Sequence, residues 1–216
     1  MPTPAKGYYL KDGSRVPGTT TIIGRFKESG ALLHWAWGEG RAGRELYEAR
    51  DAAAEAGTLA HAMVEASIKG VKLETPLVDS GVLQKAIAAF GAYQSWAKGT
   101  GIKVIEQEMQ LVSEKHRFGG TPDAIGELDG KLCLLDWKTS NAVYSDYLLQ
   151  LAAYKLLWEE NHPEHPLTGG FHLCRFAKEH GDFEHRYYPN LDDALDMFLH
   201  LRAAYELDKS LKKRAA

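Results

Sequence analysis

Residues 119–139 constrain what this chain can fold into more than any other stretch. They read Gly119-Gly120-Thr121-Pro122-Asp123-Ala124-Ile125-Gly126-Glu127-Leu128, then Asp129-Gly130, then Lys131-Leu132-Cys133-Leu134-Leu135-Asp136-Trp137-Lys138-Thr139. Asp-Gly is the favoured two-residue turn of a tight antiparallel hairpin, because both residues tolerate positive φ. With that turn Leu128 faces Lys131, and stepping outward puts Asp123 opposite Asp136. Facing residues have Cβ atoms about 4.5–5.5 Å apart, and like charges there destabilise the sheet. Ile125, Leu132 and Leu134 share the face with the two acids, which lowers the local dielectric and sharpens the repulsion. Either one carboxylate is protonated or a divalent cation bridges the pair. Lys138 follows Asp136 by two residues and so points to the same face. A lysine there can orient and help deprotonate an attacking water, or neutralise charge developing on a phosphate.

Composition leaves that chemistry open and closes other routes. A chain of 216 residues suits one domain and can bury a core without disulfides or a structural metal. Its two cysteines, Cys133 and Cys174, lie in apolar runs and read as reduced core thiols. They are too few for an all-thiolate iron–sulfur cluster. The first residues, Met1-Pro2-Thr3-Pro4-Ala5-Lys6, form neither an apolar signal region nor an Arg-rich presequence. No apolar run approaches the ~20 residues needed to span a bilayer, so the expectation is a soluble cytoplasmic protein without membrane contact. Net charge is −3, yet residues 1–50 carry eight Lys/Arg against five Asp/Glu, and the chain ends in a basic run from Lys209 to Arg214.

Periodicity sets the organisation. Gly7 to Pro17 reads as a short hairpin around Asp12-Gly13; Thr19-Thr20-Thr21 can cap a short helix; Ala31 to Trp37 is helix-compatible. Residues 41–56 read as one helix, broken by Gly57, with Thr58 capping the next and Gly70 ending it. Residues 82–98 are a further helix closed by Gly99. The period then changes: 102–113, 117–128 and 131–138 are strand-like runs, 145–160 is helical, 169–176 and 183–188 are strands, and 191–208 is a helix opened by Asn190. The order predicts an α/β fold with a small mixed central sheet flanked by helices. The single domain divides into an N-terminal hairpin and short helices (1–40), a helical part (41–100), a sheet with one helix (101–190) and a C-terminal helix with a basic tail (191–216).

Gly120-Thr121-Pro122-Asp123 followed by Leu135-Asp136-Trp137-Lys138-Thr139-Ser140 resembles the PD-(D/E)XK nuclease superfamily. The match is closest to the branch that contains the RecB nuclease domain, phage exonucleases and the mitochondrial genome-maintenance exonuclease. Gly57-Thr58-Leu59-Ala60-His61 matches its first helical motif, and Gln150-Leu151-Ala152-Ala153-Tyr154 its Gln-x-x-x-Tyr motif. Glu108 precedes Gly120 by the family's spacing, with Glu106 as a competing candidate on the same strand. The second acid is Asp136, where this branch commonly has Glu.

The resemblance implies a restriction-endonuclease-like core in which His61, Asp123, Asp136 and the backbone carbonyl of Trp137 hold Mg²⁺ or Mn²⁺. Lys138 would position the attacking water, Glu108 contact metal or water, Gln150 bond the site or a phosphate, and Tyr154 touch DNA or brace the strand. Glu65, one turn after His61, is a candidate to orient its imidazole. The four-cysteine cluster of some relatives is absent, so no iron–sulfur cluster carries over. The implied function is DNA exonuclease action on single-stranded or duplex ends, in recombination, repair or phage DNA metabolism, alongside a recombination or helicase partner. A structure-specific endonuclease, a non-cleaving DNA-binding protein and a hydrolase of small phosphoesters are the alternatives. Candidate DNA contacts are Arg15, Arg25, Lys27, Arg41 and Arg44 for phosphates and Trp35 and Trp37 for unpaired bases.

Overall fold

Asp129 and Gly130 both adopt positive φ, 52° and 73°, in the computed structural model, so the turn has the twist that suits a two-residue hairpin. The structure describes residues 7–27, 30–43, 45–73, 78–140, 142–176 and 183–215, with backbone alone at 31, 32, 35 and 46–55. Along the chain these form β1 (Tyr8–Tyr9), β2 (Arg15–Val16), α1 (Thr19–Phe26), α2 (Gly30–Arg41), α3 (Leu46–Lys69) and α4 (Ser80–Thr100). Then come β3 (Lys103–Gln107), β4 (Leu111–Ser113), β5 (Phe118–Gly120), β6 (Ala124–Leu128) and β7 (Lys131–Thr139). The chain closes with α5 (Ser145–Asn161), β8 (Phe171–Phe176), β9 (Phe183–Tyr188) and α6 (Asp192–Ala215).

The hairpin register is the expected one: Leu128 pairs with Lys131, and the ladder runs out to Ala124 opposite Leu135. Among the described residues β7 is the middle strand of a five-stranded sheet ordered β3-β6-β7-β8-β9. It pairs antiparallel with β6 and parallel with β8, the crossover passing through α5. Its apolar run suits a strand covered on both faces. On one face Ile125, Leu134 and Leu173 pack with Leu151, Tyr154 and Leu157 of α5, Ile22 of α1 and Phe198 of α6. On the other, Cys133, Leu135, Trp137 and Phe176 meet Leu59 and Val64 of α3 and Ala86 and Tyr93 of α4. Full burial of each large apolar side chain contributes about 1.5–3 kcal/mol. Asp136 and Lys138 fall on the α5 face, as alternation requires.

Five boundaries differ from the sequence expectation. Gly57 does not break a helix: α3 runs through it to Gly70, which caps in the left-handed conformation. One interior glycine costs about 1 kcal/mol, and burial of Ala56, Leu59, Ala60 and Val64 around it outweighs that. The run 102–113 splits into β3 and β4 after Gln107, where Glu108 leaves the extended region with φ of 50°, and 117–128 splits into β5 and β6 at Pro122, which lacks an N–H and holds Thr121 away from the ladder. β4 and β5 pair with each other, outside the five-stranded sheet. α4 ends at Gly101, with left-handed φ, rather than at Gly99. The basic run Lys209–Arg214 is the end of α6, continuing the helix well beyond residue 208.

The N-terminal segment is built into the core next to the hairpin. Gly119 donates to Pro17 O at 3.0 Å, Thr19 Oγ1 donates to Gly119 O at 3.0 Å, and the Tyr8 ring covers Gly119 so closely that a Cβ there would lie 2.3 Å from Tyr8 Cγ. Tyr8 Oη and Thr121 Oγ1 share a hydrogen bond of 3.0 Å. Among the described residues, no helix is long and apolar enough to cross a membrane.

Candidate active site

Asp136 is fully buried in the middle of the central strand. Lys138 Nζ donates to its Oδ1 at 2.8 Å and lies 2.7 Å from Oδ2 without hydrogen-bond alignment, so Oδ2 is buried with no hydrogen bond. Burial raises the Asp136 carboxyl above the ordinary carboxylate range, Lys138 opposes the rise, and Asp123 adds to it. Burial likewise works against the Lys138 ammonium, but Asp136 and then Asp123 outweigh it and hold the lysine above its usual value. Lys138 therefore places its charge beside both Asp136 oxygens but hydrogen-bonds Oδ1 alone. A buried carboxylate oxygen without a hydrogen bond can take a further donor or a cation.

Asp123 lies in a bend just before β6, one residue beyond the last ladder pair. It is not a cross-strand partner of Asp136 in the ladder, because Pro122 ends the pairing there. Its Oδ2 reaches across to accept the backbone N–H of Trp137 at 2.8 Å. His61 of α3, Glu108 just after β3, and Asp123 each offer a ligand atom, all within 4.8 Å of one another. Glu108 has φ of 50°, a left-handed conformation that costs a non-glycine residue about 1–2 kcal/mol. Its N–H donates to Asp123 O at 3.1 Å, which pins that conformation beside the acid. Although Glu108 is exposed as a residue, partial burial of its carboxyl, then Asp123 and Glu65, push it up to about 7. Glu106, the competing candidate, is exposed within β3 opposite Ile125 and outside the cluster.

Two carboxylates and one imidazole converge beside a further acid with one oxygen, Asp136 Oδ2, that has no hydrogen bond, and such a set fits a hard divalent cation. When bound, such a cation supplies Lewis-acid charge for a phosphoryl oxygen and for an attacking water. The set found here has Glu108 where Asp136 was expected; Asp136 stands beside it, engaged by Lys138.

The model of the PD-(D/E)XK nuclease superfamily matches residues 6–213, nearly the whole chain. The chain belongs to the PD-(D/E)XK nuclease superfamily. No curated protein matches it in sequence. Among solved structures it is similar to a candidate exonuclease from Eubacterium rectale at 14% identity and TM-score 0.47, covering 69% of this chain and 68% of that one. It is also similar to an alkaline exonuclease from Laribacter hongkongensis at 10% identity and TM-score 0.42, covering 92% and 94%. The same exonuclease in complex with dAMP gives 13% identity and TM-score 0.38, covering 73% and 83%. Likenesses at that level carry no information about activity.

The other expected residues of this PD-(D/E)XK chain are partly brought together. Gln150 Nε2 donates to Tyr154 Oη at 2.7 Å on one face of α5. Tyr154 is buried, and its hydroxyl is pushed well up by burial and by Asp123 and Asp136. Its ring packs in the core cluster with Ile125 and Leu134 of the sheet. The Trp137 side chain is buried on the opposite face, edge-on to Tyr93 at 6.0 Å. Glu65 pairs with Lys69 on its own helix instead of with His61.

Of the expected DNA contacts, Arg15 is exposed on β2, and Arg25 pairs with Asp208 at 2.8 Å. Lys27 pairs with Asp146. Arg41 sits 4.7 Å over the exposed Trp37 ring. Arg44 and the side chain of Trp35 lie outside the described residues. Sequence reasoning missed Tyr147, whose ring lies 5.5 Å from Lys138 Nζ. Its spacing of i, i+3, i+7 with Gln150 and Tyr154 was the available signal. It also missed Tyr8 and Thr121, which carry no spacing signal because they meet across 113 positions.

Proposed function

We propose that the chain is a Mg²⁺- or Mn²⁺-dependent DNA exonuclease that hydrolyses phosphodiester bonds at DNA ends. The observation that carries the reading is the convergence of His61, Glu108 and Asp123 beside a buried Asp136–Lys138 pair whose Oδ2 has no hydrogen bond. In this reading His61, Glu108 and Asp123 hold the cation, with Asp136 and the Trp137 carbonyl completing its ligands. Lys138 holds the attacking water by its ammonium and offsets charge on the phosphate. Gln150, fixed to Tyr154, keeps α5 against the catalytic strand. The histidine in an otherwise oxygen-rich set favours Mn²⁺ alongside Mg²⁺.

End-specific action follows from the Gly57–His61 and Gln150–Tyr154 motifs, which resemble those of RecB-like and phage exonucleases. The same resemblance supports a role in recombination, repair or phage DNA metabolism beside a helicase or recombination partner. Two buried free thiols, Cys133 and Cys174, support a reducing, cytoplasmic setting.

Linear and covalently closed plasmid DNA, incubated with wild type or Asp136→Ala in Mg²⁺ and in Mn²⁺, test the reading. Wild type is expected to degrade the linear form to short products, spare the circle and lose activity in the variant. Cutting of closed circles replaces the exonuclease reading with an endonuclease one. Intact DNA throughout favours a non-cleaving binding protein.

A further inference from the structure

A line of side chains runs from the candidate active site to Lys27, which is paired with Asp146 and lies two residues along the chain from the edge of a second, basic groove. Lys138 Nζ lies 5.5 Å from the Tyr147 ring, and Tyr147 meets Tyr144 edge-on at 5.5 Å. Lys27 Nζ lies 5.6 Å over Tyr144, whose ring is 45% exposed, and Lys27 caps α1 two residues after Arg25. Arg25 then forms one wall of a groove of about 490 Å³ between α1 and α6, lined also by Thr21, Tyr205, Asp208, Lys209, Lys212 and Lys213. Asp208 is the acid in that lining and is shared by Arg25 at 2.8 Å and Lys212 at 3.3 Å. Lys209 and Lys213 have no partner among the described residues. Basic residues in a last turn suit the helix dipole, but that does not require four cations to line one groove. Like charges at i, i+4 repel, so Lys209 and Lys213 gain from an anion between them.

We propose that this groove binds the phosphodiester backbone of a single strand whose end lies at Lys138, the strand passing over Tyr147 and Tyr144 and past Lys27. The inference rests on the nuclease reading and names the substrate path for it. The exposed Tyr144 ring, with the partly buried Tyr147 behind it, offers stacking for unpaired bases, which a paired duplex cannot supply in the same way, while lysines follow the backbone. The groove takes phosphates without regard to sequence. It lies beyond reach of a very short substrate, so its effect depends on strand length.

The test measures binding of fluorescein-labelled oligothymidylates of about 4 and about 16 nucleotides by anisotropy in EDTA, where cleavage is off. Wild type is compared with Lys209→Ala/Lys213→Ala, which breaks no ion pair and places good helix formers on an exposed face. The long strand is expected to bind about tenfold more weakly to the variant at about 0.1 M salt. Its log–log salt slope falls by roughly 1.4 for two lost phosphate contacts. Binding and Mn²⁺-dependent cleavage of the short strand stay unchanged. Tyr144→Ala is expected to weaken the long single strand about tenfold and spare a duplex of equal length.

An unchanged length dependence and salt slope in the double variant overturn the groove while leaving the nuclease reading intact. Equal loss for duplex and single strand in Tyr144→Ala overturns the single-strand path. Wild type that neither binds nor cleaves either single strand but degrades linear duplex overturns the single-strand path alone, and wild type inert on duplex as well overturns both proposals.

Discussion

The backbone N–H of Trp137 donates to Asp123 Oδ2 at 2.8 Å, just past the point where the hairpin ladder ends. The bond joins the bend after Pro122 to the strand that carries Asp136 and Lys138. Asp123 thus has two tasks: one oxygen satisfies the β7 amide just beyond the β6–β7 ladder, and the carboxylate also belongs to the cluster with His61 and Glu108. The tasks separate by substitution. Asp123→Asn keeps an acceptor for the Trp137 N–H but loses the charge that holds a cation.

If Mn²⁺ binds the folded site, saturating metal at roughly 100-fold over Kd adds about 2.7 kcal/mol of stability. For a domain of this size that corresponds to a rise in Tm of roughly 5–10 °C. Asp123→Asn and His61→Ala are expected to retain a metal-free Tm near wild type and to lose the rise. Calorimetry with and without Mn²⁺ checks this. A full metal-induced shift in both variants would place the cation elsewhere.

Gly119 and Gly120 should tolerate no side chain. A Cβ on Gly119 meets the Tyr8 ring at 2.3 Å, and one on Gly120 meets Tyr154 Cε1 at 2.6 Å and Leu157 Cδ1 at 2.8 Å. Overpacking of this kind costs about 1–3 kcal/mol, and here it also pushes on the segment that aims Asp123. Gly119→Ala is expected to lower stability by that amount in urea titration. Combined with Tyr8→Ala, the loss is expected to fall short of the sum by about 1 kcal/mol, since the clash is then gone. Strict additivity would show that Tyr8 is not what Gly119 makes room for.

The hairpin was legible because its register depends on two local facts, the Asp129-Gly130 turn and the alternation that follows. Both are written in consecutive residues, and the observed pairing of Leu128 with Lys131 reproduces them. Asp136 and Lys138 inherit that legibility. What adjoins them is legible only through the resemblance: the family spacing singles out Glu108, but the left-handed φ after β3 that brings it into the cluster is one its side chain does not advertise. Pro122 is a plain breaker, yet the strand-like residues on either side of it, Phe118 before and Ala124-Ile125 after, read as one run and hid the split between β5 and β6. Gly57 reads as a helix stop only when its neighbours are weighed locally; Leu59, Ala60 and Val64 pack against the sheet and α4 and carry the helix through. The groove between α1 and α6 joins residues about 180 positions apart, as Arg25 and Asp208 do, and no periodicity reports such a meeting.

Acid should weaken the far edge of the sheet independently of the site. His172 on β8 and His185 on β9 stack at 5.1 Å, with Nδ1 and Nε2 3.0 Å apart. Such a contact needs one ring to donate and the other to accept, so at least one must be neutral. Burial, then His185, pushes His172 down to about 4 from 6.5. The folded pKa lies below the unfolded one, so the unfolded chain binds more protons between those values and stability falls as pH drops from about 6.5 towards 4. Allowing for solvent around the pair, the loss between pH 7 and pH 5 is on the order of 1 kcal/mol. Urea midpoints at the two pH values are expected to differ in wild type and to converge in His172→Gln. An equal pH effect in that variant would assign it to other groups.

Lys138 separates charge from shape at the candidate site. Its Nζ donates to Asp136 Oδ1 and lies beside the Tyr147 ring. Lys138→Met keeps most of the apolar stem but removes the charge that lets Asp136 ionise in a fully buried position. Two effects with opposite visibility follow. Activity on DNA is expected to fall about 10²–10³-fold, the range seen when one preorganised donor is lost from a site that stabilises developing charge. The metal-free fold is expected to lose less than the roughly 3–5 kcal/mol typical of a broken buried ion pair, because Asp136 can take up a proton once its cation is gone. Lys138→Arg restores the charge but not the compact ammonium, and a planar guanidinium meets Tyr147 and Asp136 at a different reach. It is therefore expected to recover stability and little of the rate. Single-turnover cleavage of end-labelled DNA, paired with urea titration of the three proteins, measures both. If Lys138→Arg regains the wild-type rate, the lysine acts by charge alone, and its placement of a water is refuted.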